Sequence, residues 1–305
     1  MLIVLHQGAI GDFLIALPVI QSVREHLGAT CVTAIASAPS ARLAAGRSVV
    51  DRWLCPENLG LYRLFCRDLP VGKPLTSHLA EADAVFSFLG GTGHVVHDRL
   101  AELTAAPVVS IDPRPRESTR ADRLHISRQW MDDIRQAGWD IAEPRPASIR
   151  FDRPPPSPMP RVLVHPGSGG VSKCWPLERF VELAESLPGT DVTWMLGPAD
   201  ARQARGLQDR SEPILFEPEL DQAVTQMATY DLYIGNDSGI THLAAAIGLP
   251  TVAIFATPAP RLWRPLGDRV RLVAPDDVQD DMACVAVDGV LSAVKMQLSA
   301  CIRCS

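Results

Sequence analysis

The sequence predicts an α/β protein of two halves, each with a parallel β-sheet that carries helices on both faces. Short apolar segments typical of buried strands alternate with helix-spaced segments of roughly 10–15 residues, which is the pattern of a parallel sheet. A proline-rich stretch over residues 143–160 interrupts this alternation near the middle of the 305 residues. Proline excludes a regular helix or a central strand there. We therefore expect two Rossmann-like domains, residues 1–150 and residues 151–305, whose parallel sheets face a cleft.

The first half begins with a short apolar strand over Leu2–Leu5, followed by a helix over Phe13–Leu27. Apolar residues recur in that helix at the three- and four-residue spacing of one helix face. Three later apolar segments predict strands, and a polar segment predicts a further helix. The strands are Cys31–Ile35, Ala84–Phe88 and Val108–Ile111, and the helix is Ala121–Ala137.

The second half repeats the alternation. The predicted strands are Arg161–His165, Asp191–Leu196, Pro213–Phe216, Asp231–Ile234 and Thr251–Phe255. The predicted helices are Pro176–Leu187, Ala201–Arg210, Glu219–Thr229 and Gly239–Ile247. Parallel sheets bind ligands at the carboxyl ends of their strands, so the loops that follow the strands are where functional residues are expected.

Composition and charge exclude several classes of protein. The hydrophobic share of 47% and the charged share of 21% are those of a globular domain and exclude a disordered chain. The net charge of −6 argues against a general nucleic-acid binder, which shows a basic excess. Only three of the 29 basic residues are lysines, Lys73, Lys173 and Lys295, so the position of each lysine is informative.

The sequence predicts a cytoplasmic protein. It has no run of about 18 apolar residues and no basic segment before its apolar start, so neither a transmembrane helix nor a signal peptide is expected. Its seven cysteines are scattered and odd in number, which indicates reduced thiols. Cys301 and Cys304 have the spacing of a metal-binding pair, but no second pair accompanies them, so we predict no metal site and no cofactor.

The first loop of interest joins the first strand to the first helix over residues 6–12. Gly8 and Gly11 allow a tight turn and a close approach to a ligand, but their spacing is not the dinucleotide fingerprint. Asp12 lies at the start of the helix. One interpretation is a carboxylate that caps the first turn, and the other is a general base that points towards a substrate.

The second loop, residues 165–176, follows the first strand of the second half. It is rich in Gly and Ser and holds the single lysine Lys173. Exposed amides, serine hydroxyls and an ammonium group are typical of an anion site. The order of residues is not that of a Walker A motif, and a mobile surface loop with a solvated lysine is the alternative interpretation.

The third loop, residues 235–248, runs into an alanine-rich helix. Asp237 or Ser238 can cap this helix, which leaves the amides of residues 238–240 to face an anion. His242 lies in the first turn, where a structural role and a ligand-binding role are both open.

Two further segments of the first half carry polar candidates. Five arginines fall within residues 114–128 and are either contacts to an anionic acceptor or a solvated face: Arg114, Arg116, Arg120, Arg123 and Arg128. The run Gly90–His94 follows a strand and is a second candidate for the acceptor side.

Together, these loops resemble glycosyltransferase family 9, whose best-known members are the ADP-heptose:lipopolysaccharide heptosyltransferases. The resemblance covers essentially the whole chain. Three segments carry it: IGNDSGITHLAAAIGLPTVAIFATPAP, VHPGSGGVSKCWPLERFVELA and HQGAIGDFLIALPVI. The chain departs from the family pattern after Phe255, where it has Ala256-Thr257-Pro258 and Ala259-Pro260 in place of the frequent Gly-Pro-Thr and Asp-Pro.

The resemblance implies a GT-B fold and an inverting, metal-independent glycosyltransferase. The N-terminal half would bind the acceptor, and the C-terminal half would bind a nucleotide-sugar donor. Asp12 matches the catalytic base. The donor-binding positions implied are Ser168, Lys173, Asp237, Ser238, Gly239 and His242. The acceptor-binding candidates are Gly11, Gly91, Thr92, Arg120 and Arg123.

The function expected from the resemblance is transfer of heptose from ADP-heptose to a lipopolysaccharide core acceptor. The partners would then be the donor and an anionic glycolipid at the inner membrane surface, where the protein would be peripheral. One alternative is a nucleotide-sugar epimerase of the same fold, which needs acid and base groups on the donor side. Another is a non-catalytic nucleotide-sugar-binding relative, which would tolerate Asp12→Asn.

Overall fold

The computed structural model divides the chain into two compact units, Met1–Ile149 and Arg150–Ser305. The residues described are 1–146, 148–155, 157–216, 218–256, 260–275 and 281–303. The division falls inside the proline-rich stretch. Which ligand each unit binds stays a prediction.

The first unit contains one parallel sheet with helices around it. Its strands are β1 (Leu2–His6), β2 (Val32–Ala36), β3 (Arg52–Leu54), β4 (Ala84–Ser87) and β5 (Val108–Ser110). Its helices are α1 (Ile10–Leu27), α2 (Ala38–Ala44), α3 (Pro56–Leu59), α4 (Lys73–Ala80), α5 (Val95–Leu103), α6 (Glu117–Ala121) and α7 (Ile126–Gln136). A 3-10 helix spans Leu61–Phe65. The strand order is β3-β2-β1-β4-β5.

The second unit repeats this plan with six parallel strands. They are β6 (Arg161–His165), β7 (Asp191–Leu196), β8 (Ile214–Phe216), β9 (Leu232–Asn236), β10 (Thr251–Ile254) and β11 (Val270–Val273). The helices are α8 (Leu177–Glu185), α9 (Ala201–Gly206), α10 (Leu220–Met227), α11 (Gly239–Ala246), α12 (Pro260–Trp263) and α13 (Val287–Arg303). Two 3-10 helices span Val171–Lys173 and Met282–Cys284. The strand order is β11-β10-β9-β6-β7-β8.

The central strands form because their residues are apolar on both faces. Every residue of β1 and β9 is buried, as expected for a parallel sheet covered on two sides. The adjacent helices supply the rest of each core, such as Phe13 in the first unit and Phe180 in the second. The two predicted parallel sheets and the α/β class are therefore confirmed.

Strand pairing determines which loops become neighbours. In the first unit, Leu5 pairs with Ser87, and Ser87 pairs with Ser110, so the loops after β1, β4 and β5 begin at one level. In the second unit, His165 pairs with Gly235, which brings together the loops after β6 and β9. These are the loops that the sequence selects as functional.

One predicted helix is wrong. The segment Ala121–Ala137 does not form a single helix, because α6 ends at Ala121 and α7 begins at Ile126. Arg123 between them has a φ of 51°, in the left-handed region that no helix interior adopts. His125 then starts α7, where its Nδ1 accepts the N–H of Ser127 at 3.2 Å. The predicted segment therefore covers α7 but only the last residue of α6, and the helix that precedes the break was not predicted.

Two expectations from the sequence concern residues that the structure does not describe. Thr257, Pro258, Ala259 and Cys304 lie outside the described residues, so the departures from the family pattern and the Cys301/Cys304 pair have no structural outcome. Among the described residues, no helix is long and apolar enough to cross a membrane.

Candidate functional site

The loops after β6 and β9 are joined by the buried side chain of Asn236. Its Oδ1 accepts the N–H of Trp175 at 3.0 Å, and its Nδ2 donates to the carbonyl of Pro166 at 2.9 Å. Trp175 is itself buried, and its indole N–H donates to the carbonyl of Val285 at 2.9 Å. Asn236 therefore holds both ends of the Gly/Ser loop against the end of β9.

Two predicted donor residues from the Gly/Ser loop converge on Asp237. The Ser168 hydroxyl donates to the carbonyl oxygen of Asp237 at 2.6 Å. The Lys173 ammonium donates to Oδ2 of the same residue at 2.7 Å. The Lys173 side chain is 46% exposed and that of Asp237 is 21% exposed, so the ion pair faces solvent. The structure thus brings together residues that are about 65 positions apart in the sequence.

The N-terminus of α11 lies directly after this ion pair. Ser238 is the N-cap, because its Oγ accepts the N–H of Thr241 at 3.3 Å. The amides of Gly239 and Ile240 have no hydrogen-bond partner in the described part of the chain. A helix N-terminus carries a partial positive charge, and free amides beside a lysine are suited to bind phosphate. The sequence left Asp237 and Ser238 open as the cap, and Ser238 takes that role.

His242 follows in the first turn of α11 and is only 6% exposed. Its pKa is lowered to about 4, first because burial disfavours the imidazolium and second because the Lys173 charge repels it. The imidazole is therefore neutral at pH 7. A neutral ring beside Lys173 can donate or accept one hydrogen bond to a ligand without adding charge.

A buried hydrogen-bond network links the loop after β7 to the first turn of α11. Asp200 Oδ2 lies 3.2 Å from His165 Nε2, and His165 Nδ1 lies 3.2 Å from the hydroxyl of Tyr233. That hydroxyl lies 3.1 Å from Thr241 Oγ1, which in turn donates to the carbonyl of Asn236. The network thus reaches from the loop after β7 to the first turn of α11.

Two groups in this hydrogen-bond network, Asp200 and Tyr233, have shifted pKa values, and sequence reasoning missed both. Burial raises the pKa of Asp200, but hydrogen bonds from His165 and the Gly197 amide outweigh it and hold that pKa below its usual range. Burial raises the pKa of Tyr233. Asp200 and Tyr233 lie in no motif, because only the fold places them beneath α11. A Cβ on Gly167 would lie 2.0 Å from Asp200 Oδ1, so glycine is required there for this close approach.

The first unit holds the predicted base at the carboxyl end of β1. Asp12 is half-buried in the first turn of α1, and its Oδ2 accepts the N–H of Ala9 at 3.1 Å. A Cβ on Gly8 would lie 2.9 Å from Asp12 Oδ2 and 2.7 Å from His6 Cε1, so the loop leaves no room for a side chain there. Asp12 therefore has the capping contact that the sequence offered as one interpretation. The same contact orients its carboxylate at the carboxyl end of β1, and its role as a base stays a prediction.

His6 is a buried residue that, like Asp12, lies against Gly8 in this loop. Only 2% of it is exposed, and its ring lies 5.4 Å from the rings of both Phe13 and Phe88. Burial lowers its pKa to about 4. Its Nδ1 accepts the Gly8 N–H at 3.2 Å, so the ring is a neutral support for the loop.

The acceptor candidates are distributed over different surfaces of the first unit. Gly91 and Thr92 line a polar groove of about 730 Å³, together with Arg116 of the arginine cluster. Arg120 and Arg123 are exposed and do not line this groove, and Gly11 is buried in the first turn of α1.

A groove of about 830 Å³ in the second unit lies between β11 and α13 and contains none of the predicted donor residues. Within the described ranges, no group of three His, Cys, Asp or Glu residues has the arrangement of a metal site.

Comparison with known families gives a match over half of the chain. The family model described as glycosyltransferase family 9 (heptosyltransferase) matches residues 132–286. Lipopolysaccharide heptosyltransferase 2 of Escherichia coli K12 is 31% identical over 129 residues, which are 38% of this chain and 37% of that protein. Lipooligosaccharide heptosyltransferase 2 of Haemophilus influenzae is 30% identical over 115 residues, which are 34% of this chain and 33% of that protein. The matched segments thus span about a third of the curated relatives.

Solved structures of similar fold cover almost the whole chain. A glycosyl transferase family 9 protein from Veillonella parvula superposes with a TM-score of 0.74 at 14% identity, over 98% of this chain and 97% of that one. E. coli ADP-heptose lps heptosyltransferase II gives 0.70 at 18% identity, over 98% and 99%. At this level of identity the likeness establishes the fold, which is the predicted GT-B arrangement of two Rossmann-like units.

Proposed function

Because the chain belongs to glycosyltransferase family 9 (heptosyltransferase), we propose that it transfers heptose from ADP-heptose to a sugar of a lipopolysaccharide core. The observation that carries this proposal is the junction of Lys173, Asp237 and the N-terminus of α11. It combines a cation with free amides at the carboxyl edge of a parallel sheet, where nucleotides bind in this class of fold.

The donor diphosphate would bind at this junction in the second unit. When the sugar leaves, negative charge gathers on the diphosphate, and fixed donors lower the energy of that charge more than water does. Lys173 supplies an ammonium donor whose charge is partly balanced by Asp237, and the amides of Gly239 and Ile240 supply the helix end. E. coli WaaC, a structure of similar fold at 15% identity, was solved with ADP and with ADP-2-deoxy-2-fluoro heptose, which supports a donor of the same chemistry.

Asp12 would act as the general base in the first unit. Its carboxylate takes the proton of the acceptor hydroxyl while the hydroxyl oxygen bonds to the anomeric carbon. The bond from that carbon to the diphosphate breaks on the opposite face of the sugar, so the configuration inverts. The Ala9 amide fixes one carboxylate oxygen at 3.1 Å, which orients the base without protonating it. No metal ion is needed in this scheme, because the second unit supplies the positive charge.

Two other functions compete with this proposal. A putative UDP-N-acetylglucosamine 2-epimerase from Listeria monocytogenes has a similar fold, with a TM-score of 0.51 at 12% identity. An epimerase would alter a nucleotide sugar without an acceptor. A non-catalytic relative would bind the donor and form no product.

A donor panel followed by product analysis tests the proposal. Thermal unfolding is measured with ADP-, UDP-, GDP- and dTDP-sugars, because a ligand of the native state raises the melting temperature. We expect ADP-heptose to give the largest rise, and the protein then to release ADP only when a core acceptor is present. Release of an isomerised nucleotide sugar without acceptor would support the epimerase. Binding without any product would support the non-catalytic relative. Co-sedimentation with inner-membrane vesicles tests the proposed peripheral location.

A further inference from the structure

The polar groove of the first unit follows β5, the strand at the edge of its sheet. Its walls come from α5 and α7, and its volume is about 730 Å³. Seven polar side chains line it: Thr92, His97, Ser110, Asp112, Arg116, Asp133 and Gln136. Of these, the sequence selected only Thr92 and, within the arginine cluster, Arg116, so the groove brings together groups that no single motif connects.

An ion pair between the buried Asp133 carboxylate and the 40% exposed Arg116 side chain lies in the groove wall. Asp133 is 8% exposed, forms an ion pair with Arg116 and accepts the N–H of Asp112 at 3.0 Å. Burial raises the pKa of Asp133, although Arg116 and the Asp112 amide oppose the rise. On the opposite wall, His97 Nδ1 lies 2.9 Å from Ser110 Oγ, which fixes the imidazole. Several oriented polar groups in one concave site are typical of a binding site.

The mixture of charges selects the class of ligand. Asp112 and Asp133 disfavour an anion, Arg116 disfavours a cation, and the polar lining disfavours an apolar chain. Asp133 also neutralises the charge of Arg116. Arg116 therefore attracts an anion more weakly than the sequence analysis expected of the arginine cluster. Sugar hydroxyls both donate and accept hydrogen bonds. They match a wall that offers carboxylate acceptors, a guanidinium donor and the amide of Gln136, which does both.

The position of the groove relates it to the proposed base. Asp12 follows β1, Thr92 follows β4 and Asp112 follows β5, and these three strands are consecutive in the sheet. Neighbouring strands are about 4.8 Å apart, so the end of the groove at Asp112 lies roughly 10 Å across the sheet from the loop that holds Asp12. A single sugar at Asp12 does not extend that far, whereas an oligosaccharide does.

We propose that this groove is an acceptor subsite that binds a sugar residue next to the one that is glycosylated. The inference rests on the proposed function and names the part of the acceptor that the first unit recognises. The subsite would select acceptors that carry a second sugar over single sugars. Gln136 is exposed at the end of α7, so its substitution tests the subsite without disturbing the core.

The test measures binding of a de-acylated lipopolysaccharide core oligosaccharide to the full chain by calorimetry, without donor. Gln136→Trp fills the groove and should weaken oligosaccharide binding at least tenfold, whereas Gln136→Ala should weaken it only a few-fold. ADP affinity should stay within twofold in both variants. Gln222→Trp, at an exposed position of α10 in the second unit, is the matched control and should bind the oligosaccharide like the wild type.

The outcomes separate this inference from the proposed function. Oligosaccharide affinity unchanged in Gln136→Trp overturns the subsite, even if the wild type transfers heptose normally. No binding of the oligosaccharide to the wild type also overturns it. Failure of the wild type to transfer any sugar, together with weakened binding in Gln136→Trp, overturns the proposed function and supports the groove only as an oligosaccharide-binding site.

Discussion

Replacing Lys173 with alanine removes the only lysine at the proposed diphosphate site. Its ammonium lies 2.7 Å from Asp237 Oδ2, and the side chain is 46% exposed. A hydrogen bond to a charged group contributes roughly 1.5–3 kcal/mol, and partial exposure to solvent favours the lower part of this range. The substitution also leaves the Asp237 carboxylate unneutralised beside the bound phosphates. We therefore expect ADP binding to weaken by about 2 kcal/mol, which is roughly a 30-fold rise in Kd.

Calorimetric titration of ADP at fixed ionic strength measures this change. The double variant Lys173→Ala with Asp237→Asn should bind ADP more tightly than Lys173→Ala alone, because the repelling carboxylate is gone. Lys73→Ala, at an exposed lysine of the first unit, is the control and should leave the ADP Kd within twofold. An ADP Kd unchanged by Lys173→Ala refutes the placement of the diphosphate. A double variant no tighter than the single one refutes the repulsion from Asp237.

Four other perturbations have defined outcomes. Asp12→Asn keeps a hydrogen-bond acceptor for the Ala9 amide, so ADP affinity should stay within twofold. The kcat should fall at least roughly 100-fold, and an unchanged kcat would exclude Asp12 as the general base. Asp200→Asn should lower the free energy of unfolding in urea by about 2 kcal/mol and weaken ADP binding, whereas exposed Gln222→Ala should change neither. The pKa values of His6 and His242 fall from 6.5 to about 4 on folding, so between these pH values the unfolded state binds more protons than the folded state. The free energy of unfolding should therefore be highest above pH 6.5 and should decrease as the pH falls towards 4. In urea unfolding, each histidine should lower the free energy of unfolding by about 2 kcal/mol between pH 7 and pH 5. A free energy of unfolding that does not change with pH would contradict the burial of these rings in the neutral form. Finally, transfer should proceed unchanged in excess EDTA, and loss of activity that Mg²⁺ restores would contradict the metal-independent scheme.

Local pattern was enough to predict nine of the eleven strands in the described part of the chain, but it did not predict the helices α2 to α5, α12 and α13. The strands at 161–165 and 191–196 were predicted at their observed limits, because a short apolar run bounded by loop residues needs little else to define it. β3 and β11 were missed, because their residues are only partly buried at the edges of the sheets and show no continuous apolar run. The break at Arg123 was missed because arginine gives no signal for a positive φ.

The candidate site was predictable only in part, for a related reason. Loop composition and the family resemblance selected Ser168, Lys173 and Ser238, since glycine, serine and lysine after a strand are visible within a few residues. Asp200 and Tyr233 were not visible, because their role depends on strand order and on the hydrogen bonds beneath α11. The sequence left the role of His242 open between structure and ligand binding, and the structure adds that burial and the Lys173 charge lower the pKa of its imidazole.

The sequence by itself determined the α/β class, the two halves and the loops that hold the candidate residues, because periodicity and loop composition act over short distances along the chain. Only the tertiary structure decided that Lys173 pairs with Asp237, that Ser238 caps α11, and that seven polar side chains share one groove beside β5. These contacts join positions far apart in the chain, and strand pairing within each sheet sets which of them meet.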